Sequence, residues 1–185
     1  MSKLVIIPTY NERENVEAMI AKVLSLDGGY DLLFVDDSSP DGTADIIRRC
    51  AASSPERLFL IERSGKLGLG TAYIAGFRWA LERNYDLIFE MDCDFSHNPD
   101  DLERLSAVVE NGADVAVGSR YSVGVNVVDW PLSRLLMSYC ASRFVKLFTC
   151  MPVKDATAGF VCYSRRALEA INLDAVRMKG YGFQI

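Results

Sequence analysis

Hydrophobic residues fall as short unbroken runs separated by stretches with helical spacing. Leu4 to Ile7 is wholly apolar and closed by Pro8, the pattern of a strand buried on both faces. Asn11 is placed to cap a helix reaching to about Leu26, with Val16, Met19, Ile20, Val23 and Leu24 at helical spacing. Leu32 to Val35 repeats the strand pattern and ends at Asp36 and Asp37. Ser38-Ser39-Pro40-Asp41-Gly42 then has turn chemistry, and a helix follows through Ile46 and Ile47. Leu58 to Ile61 is a third strand. Gly65 to Gly70 is a loop, leading to a helix from about Thr71 to Arg83. Leu87 to Met91 is a fourth strand, closed by Asp92. Pro99 sits at the first position of another helix, and Val115 to Val117 is a fifth strand.

Strands separated by helices of this length imply βαβ crossovers, so the expected fold is α/β, Rossmann-like, with a mostly parallel central sheet flanked by helices. Ligands of such sheets sit at the carboxyl ends of the strands. Polar residues gather there: Thr9 to Glu12, Asp36-Asp37, Asp92 to His97, and Ser119-Arg120.

Composition narrows the classes. With 185 residues, 50% hydrophobic and 24% charged, the chain is expected to be one globular domain. A net charge of −5 argues against nucleic acid as a partner. No charged-then-apolar leader opens the chain, so secretion is not expected. The cysteines Cys50, Cys93, Cys140, Cys150 and Cys162 are odd in number and scattered, which suits a reducing cytosol better than a disulfide framework or a zinc site.

Asp92 and Asp94 follow a buried strand, where both carboxylates can reach one hard cation. An all-oxygen pair suits Mg²⁺ or Mn²⁺, which keep waters and substrate phosphates in their shells. Ser96 is placed to join through its hydroxyl or a water. Helix capping does not require this pair, because Pro99-Asp100-Asp101 already supplies an acidic helix start. Asp36-Asp37 ends the second strand, where a carboxylate meets a base or ribose. No G-x-G-x-x-G follows the first strand, which counts against NAD and FAD. The Gly65 to Gly70 stretch lacks the ending of a phosphate-binding loop; close approach to a ligand and a simple turn both remain open. His97, the only histidine, lies beside the carboxylates with no nucleophile elbow elsewhere. Leu132 to Phe148 is apolar but carries Arg134, Arg143 and Lys146. It reads equally as a buried helix with basic ends or as an interfacial helix whose cations meet phosphate headgroups.

Taken in order, Pro8-Thr9-Tyr10-Asn11-Glu12, Val35-Asp36-Asp37-Ser38-Ser39-Pro40-Asp41-Gly42-Thr43, Lys66-Leu67-Gly68-Leu69-Gly70, Met91-Asp92-Cys93-Asp94-Phe95-Ser96-His97, Gly118-Ser119-Arg120-Tyr121 and Gly180-Tyr181-Gly182-Phe183-Gln184 form a set. The set resembles the dolichol-phosphate (polyprenol-phosphate) mannose synthases, inverting glycosyltransferases of family 2 with the GT-A fold. The likeness runs over essentially the whole chain.

The resemblance implies transfer of mannose from GDP-mannose to a polyprenol monophosphate, giving a β-linked product. It implies that Pro8, Tyr10, Glu12, Val35 and Asp37 line the nucleotide pocket. Asp92, Cys93 and Asp94 would meet the diphosphate, with Asp92, Asp94 and Ser96 on the metal. Arg120 and Arg134 would hold donor and acceptor phosphates; with Asp94 they form the expected catalytic set. The role of Asp155, in Asp155-Ala156-Thr157-Ala158-Gly159-Phe160, stays open. The expected setting is the cytoplasmic face of a membrane, with the chain peripheral and any anchoring helix or partner subunit outside it. The final Gln184-Ile185 falls inside a block that continues in the family, so a C-terminal truncation of a single catalytic domain, residues 1–185, is expected. Two rivals stand beside this reading: a polyprenyl-phosphate glucosyltransferase using UDP-glucose, and a phospho-receiver signalling domain. The second lacks the required Lys-Pro, since Lys154 is followed by Asp155.

Overall fold

The computed structural model describes residues 1–119, 140, 143–145, 155, 157–176, 178 and 183. The strands are β1 (Lys3–Thr9), β2 (Tyr30–Asp36), β3 (Leu58–Glu62), β4 (Leu87–Glu90), β5 (Val115–Val117) and β6 (Val161–Ser164). The helices are α1 (Val16–Leu24), α2 (Thr43–Ser53), α3 (Leu69–Glu82), α4 (Leu102–Glu110) and α5 (Arg165–Ala170). The strands form one sheet in the order β3-β2-β1-β4-β6-β5. β1 pairs in parallel with both β2 and β4, and β2 with β3. β6 runs antiparallel to β4 and to β5, so β5 again points the same way as β1. The α/β fold with a mostly parallel sheet is therefore as expected, and β6 is an addition that the apolar pattern did not announce.

Alternation along the strands divides the core into two layers. Val5, Ile7, Leu32, Phe34 and Phe89 face one side, packed against α1, α2 and α4 through Met19, Val23, Ile47 and Leu105. Leu4, Ile6, Leu33, Val35 and Ile88 face the other, against Tyr73, Phe77 and Ala80 of α3 and Leu168 of α5. Both faces are covered, which is why these strands read as unbroken apolar runs.

Two boundaries differ from expectation. Asn11 does not cap α1: it sits at φ 63°, and the helix starts after Asn15. Its left-handed backbone turns the chain away from β1 before the helix begins. Helix α3 starts at Leu69, inside the expected loop, after Gly68 at φ 103°. Gly70 lies in this helix, and the position needs glycine because a Cβ there would lie 2.4 Å from the Met178 carbonyl oxygen and 2.9 Å from the Phe183 ring. Pro99 opens a short 3-10 turn ahead of α4, with the Asn98 side chain accepting from the Asp100 amide.

Candidate active site

The carboxyl ends of β1, β2 and β4 lie side by side, so three of the four expected polar clusters share one edge of the sheet. The parallel direction of β5 brings Ser119 to that same edge. Arg120 and Arg134, most of the Leu132 to Phe148 stretch, and all of the Gly180 to Gln184 block but Phe183 lie outside the described residues.

The two acidic residues at the end of β2, Asp36 and Asp37, have different duties. Asp36 is fully buried and accepts from Thr9 Oγ1 at 2.8 Å, from the Ser39 amide at 2.8 Å and from Ser39 Oγ at 2.6 Å. It ties the end of β1 to the turn after β2. Ser39 Oγ in turn accepts from the Asn11 amide, and Thr43 Oγ1 accepts from the Glu12 amide, both at 3.0 Å. The two loops that end in Glu12 and Thr43 are thus fixed to each other before any ligand arrives. Asp37 is 6% exposed and accepts from Arg63 Nε at 2.5 Å, from the Leu67 amide at 3.0 Å and from the Gly68 amide at 3.4 Å.

Around these turns Tyr10 is exposed, Pro8 and Glu12 are half-buried, and Lys66 Nζ lies 4.0 Å from the Tyr10 ring centroid, a cation–π contact. Val35 and Cys93 are expected pocket residues whose side chains turn into the core. Only their main chain is left to face a ligand. Burial pushes the Cys93 thiol upward, so it has no thiolate character to contribute.

The loop after β4 carries the carboxylates expected to meet a metal. Asp92 is half-buried, while Asp94 and Ser96 are exposed. The Ser96 amide donates to Asp94 Oδ1 at 3.0 Å, and the Asp92 amide donates to His97 Nδ1 at 3.4 Å. His97 stacks on Phe160, with centroids 5.1 Å apart and an angle of 10° between the rings. Between the carboxylates and Ser96, Phe95 holds φ 58°, an unfavourable conformation for a bulky residue. Ser38, after β2, shares it at φ 55°. With Asn11, the loops after β1, β2 and β4 each hold one non-glycine residue in left-handed backbone, the kind of strain that collects at functional sites.

Behind Asp92 lies a buried acid that the sequence reading missed. Glu90 ends β4, is 1% exposed, and accepts from the Tyr163 hydroxyl at 3.4 Å. Burial raises its pKa to about 8, and the nearby Asp92 charge adds to the rise. Among the described residues no group of three His, Cys, Asp or Glu side chains could enclose a metal unaided. The donor set Asp92, Asp94 and Ser96 fits a hard cation that completes its shell with water and a bound phosphate.

Arg63 and Lys66 also went unassigned in the sequence. The available signal was position: Arg63 directly follows β3, opposite Asp37, the acid that directly follows β2. Asp155 is buried and accepts from the Thr157 amide at 3.2 Å and from Thr157 Oγ1 at 3.1 Å. No described helix is long and apolar enough to cross a membrane.

A family model described as glycosyl transferase family 2 matches residues 4–171. The chain is 46% identical over 182 residues to a polyprenol monophosphomannose synthase of Mycolicibacterium smegmatis, covering 98% of this chain and 69% of that protein. It is 45% identical over 185 residues to an undecaprenyl-phosphate mannosyltransferase of Micrococcus luteus, covering 100% of this chain and 75% of the relative. Among solved structures it superimposes on glucosyl-3-phosphoglycerate synthase of Mycobacterium tuberculosis, crystallised with Mn²⁺, UDP and glucosyl-3-phosphoglycerate. That match has a TM-score of 0.69 at 19% identity and covers all of this chain and 62% of the other. At that identity the likeness is one of fold.

Proposed function

The chain belongs to glycosyl transferase family 2, with its GT-A fold, and we propose that it moves mannose, with inversion, from GDP-mannose to the phosphate of a polyprenol monophosphate. The observation that carries this reading is the 46% identity, over nearly the whole chain, to a polyprenol monophosphomannose synthase. The receiver-domain alternative falls with family membership. The UDP-glucose alternative has no specific observation in its favour.

In this reading the prefixed turns after β1 and β2 take the nucleotide, through Pro8, Tyr10 and Glu12, the main chain at Val35, and Asp37. Asp92, the main chain at Cys93, and Asp94 meet the diphosphate. Asp92, Asp94 and Ser96 would hold Mg²⁺ or Mn²⁺, which when bound neutralises charge on the departing diphosphate. Arg120 and Arg134 are assigned to the donor and acceptor phosphates, because a guanidinium fork matches phosphate oxygens. The acceptor does not require a strong general base. A phosphate monoester has its second pKa at about 6 and is already ionised near neutral pH. The protein's task is to orient and desolvate it. The chain would work at the cytoplasmic face of a membrane, held there peripherally while its lipid acceptor stays in the bilayer.

Two measurements test this proposal together: thermal stabilisation by GDP or UDP with and without Mn²⁺, and mannose transfer to a short polyprenyl phosphate. GDP with Mn²⁺ should stabilise the protein more than UDP does. Asp94→Ala should remove the Mn²⁺-dependent part, a loss of about 3 kcal/mol, on the order of a hundredfold in metal-dependent affinity, while the protein stays folded. An unchanged Mn²⁺-dependent GDP affinity in folded Asp94→Ala would remove Asp94 from the site. Preference for UDP would remove the donor assignment.

A further inference from the structure

The carboxyl end of β3 presents a cation to which the motifs give no role. The side chain of Arg63 is 9% exposed. Its Nε donates to Asp37 Oδ1 at 2.5 Å, Nη1 to Thr71 Oγ1 at 2.7 Å and Nη2 to the Gly68 carbonyl at 3.2 Å; Nη2 also pairs with Asp37. The other Asp37 oxygen takes the amides of Leu67 and Gly68. One planar fork therefore joins the end of β2, the glycine loop and the first turn of α3. Apart from the Thr71 hydroxyl, which reaches the Leu67 and Gly68 carbonyls, the loop has little else to rest on. Leu67 is 49% exposed, and a Cβ built at Gly65 meets nothing within 4 Å. Gly68 holds φ 103°, a backbone conformation that L side chains rarely adopt. Two residues before it in the chain, Lys66 places its ammonium over the ring of Tyr10.

We propose that Arg63 is a positioning residue of the donor pocket: it pins Asp37 and the Leu67-Gly68 turn, and through them keeps Lys66 over Tyr10. The proposal rests on the reading above that Tyr10 and Asp37 line the nucleotide site. A buried ion pair is poor evidence for stability, because desolvation offsets much of its attraction. What this pair supplies is geometry: the donors of one guanidinium reach acceptors on three segments, the end of β2, the glycine loop and α3, each at hydrogen-bond distance. Lysine at this position keeps the charge but cannot bond Asp37, Thr71 and the Gly68 carbonyl at once. The loop would then be held by the Asp37 acceptor and by the Thr71 hydroxyl, which lies 3.1 Å from the Leu67 carbonyl and 2.7 Å from that of Gly68, and Lys66 would lose much of its fixed starting point.

The experiment uses Arg63→Lys, Lys66→Ala and the double variant in the full chain, with melting temperatures to establish folding. Donor KM and kcat are measured with GDP-mannose, and hydrogen exchange is followed at the Leu67 and Gly68 amides. Arg63→Lys should raise donor KM roughly tenfold while kcat falls far less, as expected for loss of charge-assisted hydrogen bonds that place a binding loop. The two amides should lose protection, and Lys66→Ala added to Arg63→Lys should raise KM little further, because the first change has already displaced the lysine. Unchanged protection of both amides, or KM effects that multiply in full, would overturn the proposal. So would a lowered melting temperature with unaltered KM. If the wild-type chain binds neither GDP nor GDP-mannose, the donor reading fails by itself, and the exchange data still judge whether Arg63 holds the loop.

Discussion

Replacing Glu90 by Gln should make the protein's stability less dependent on pH, with a sign and size that follow from the burial of this acid. Glu90 is 1% exposed, and its only neutral donor partner among the described contacts, the Tyr163 hydroxyl, is at a long 3.4 Å. Burial lifts its pKa from 4.5 to about 8. A raised pKa means that the folded state holds the proton more tightly than the unfolded chain. The stabilising contribution of the protonated form is therefore complete below pH 4.5 and is lost as pH rises towards about 8. Between pH 5 and pH 7 linkage puts that loss at roughly 2–3 kcal/mol. Glutamine has nearly the same shape, keeps an oxygen for Tyr163 and carries no ionisable proton. Urea unfolding at several pH values, in chelator so that no cation alters the charge at Asp92, should show wild type falling over this range. Glu90→Gln should fall less steeply. The variant should be no better than wild type at pH 5, where its amide N–H groups lack partners, a deficit of about 1–3 kcal/mol, and should gain on wild type as pH rises. Parallel curves for the two proteins would mean that Glu90 is solvated or paired in a way the described contacts do not include, and the burial argument would fail.

Two further substitutions probe the frame that carries the site. Asp36→Ala strands the Thr9 hydroxyl and the Ser39 amide in a buried place, so it should lower unfolding free energy by about 2–4 kcal/mol; a loss below half a kcal/mol in chemical denaturation would show that Asp36 is dispensable. Gly76→Ala puts a methyl 2.6 Å from Ile6 Cγ2 across the α3–β1 contact, and overpacking there should destabilise by about 1–3 kcal/mol, a result contradicted by an unchanged or raised melting temperature.

The sequence was most readable where both faces of a strand are buried. Leu4 to Ile7 and Leu32 to Val35 are apolar at every position because each face meets a helical layer, so strand and burial were the same signal. Val161–Ser164 gave no such signal: Val161 and Cys162 are buried, but Tyr163 and Ser164 are only half-buried, and the segment's strand character comes from its neighbours β4 and β5. Asn11 looked like a cap by residue type, and only its positive φ reveals a turn. The paired acids after β2 were legible as a site feature but not as two roles, since what separates them is a serine and threonine cluster for Asp36 and a distant arginine for Asp37. Gly70 read as loop because the close approach that demands glycine comes from Met178 and Phe183, far along the chain.

The placement of β6 also bears on the order in which the molecule is assembled. Everything from β1 through β4 is paired among strands that are made early, and these already carry the turns ending in Glu12, Asp37 and Asp94. β5 is different. Among the described residues its ladder is made with β6 alone, so in that sheet Val117 finds its place only when Val161 has been synthesised and has docked beside β4. Pairings that span so much chain close late and slowly. A nascent chain would thus hold the half of the pocket assigned to nucleotide and metal while the strand leading to Ser119 was still unplaced, and β6 would act as the closing step that brings the last polar cluster to the edge.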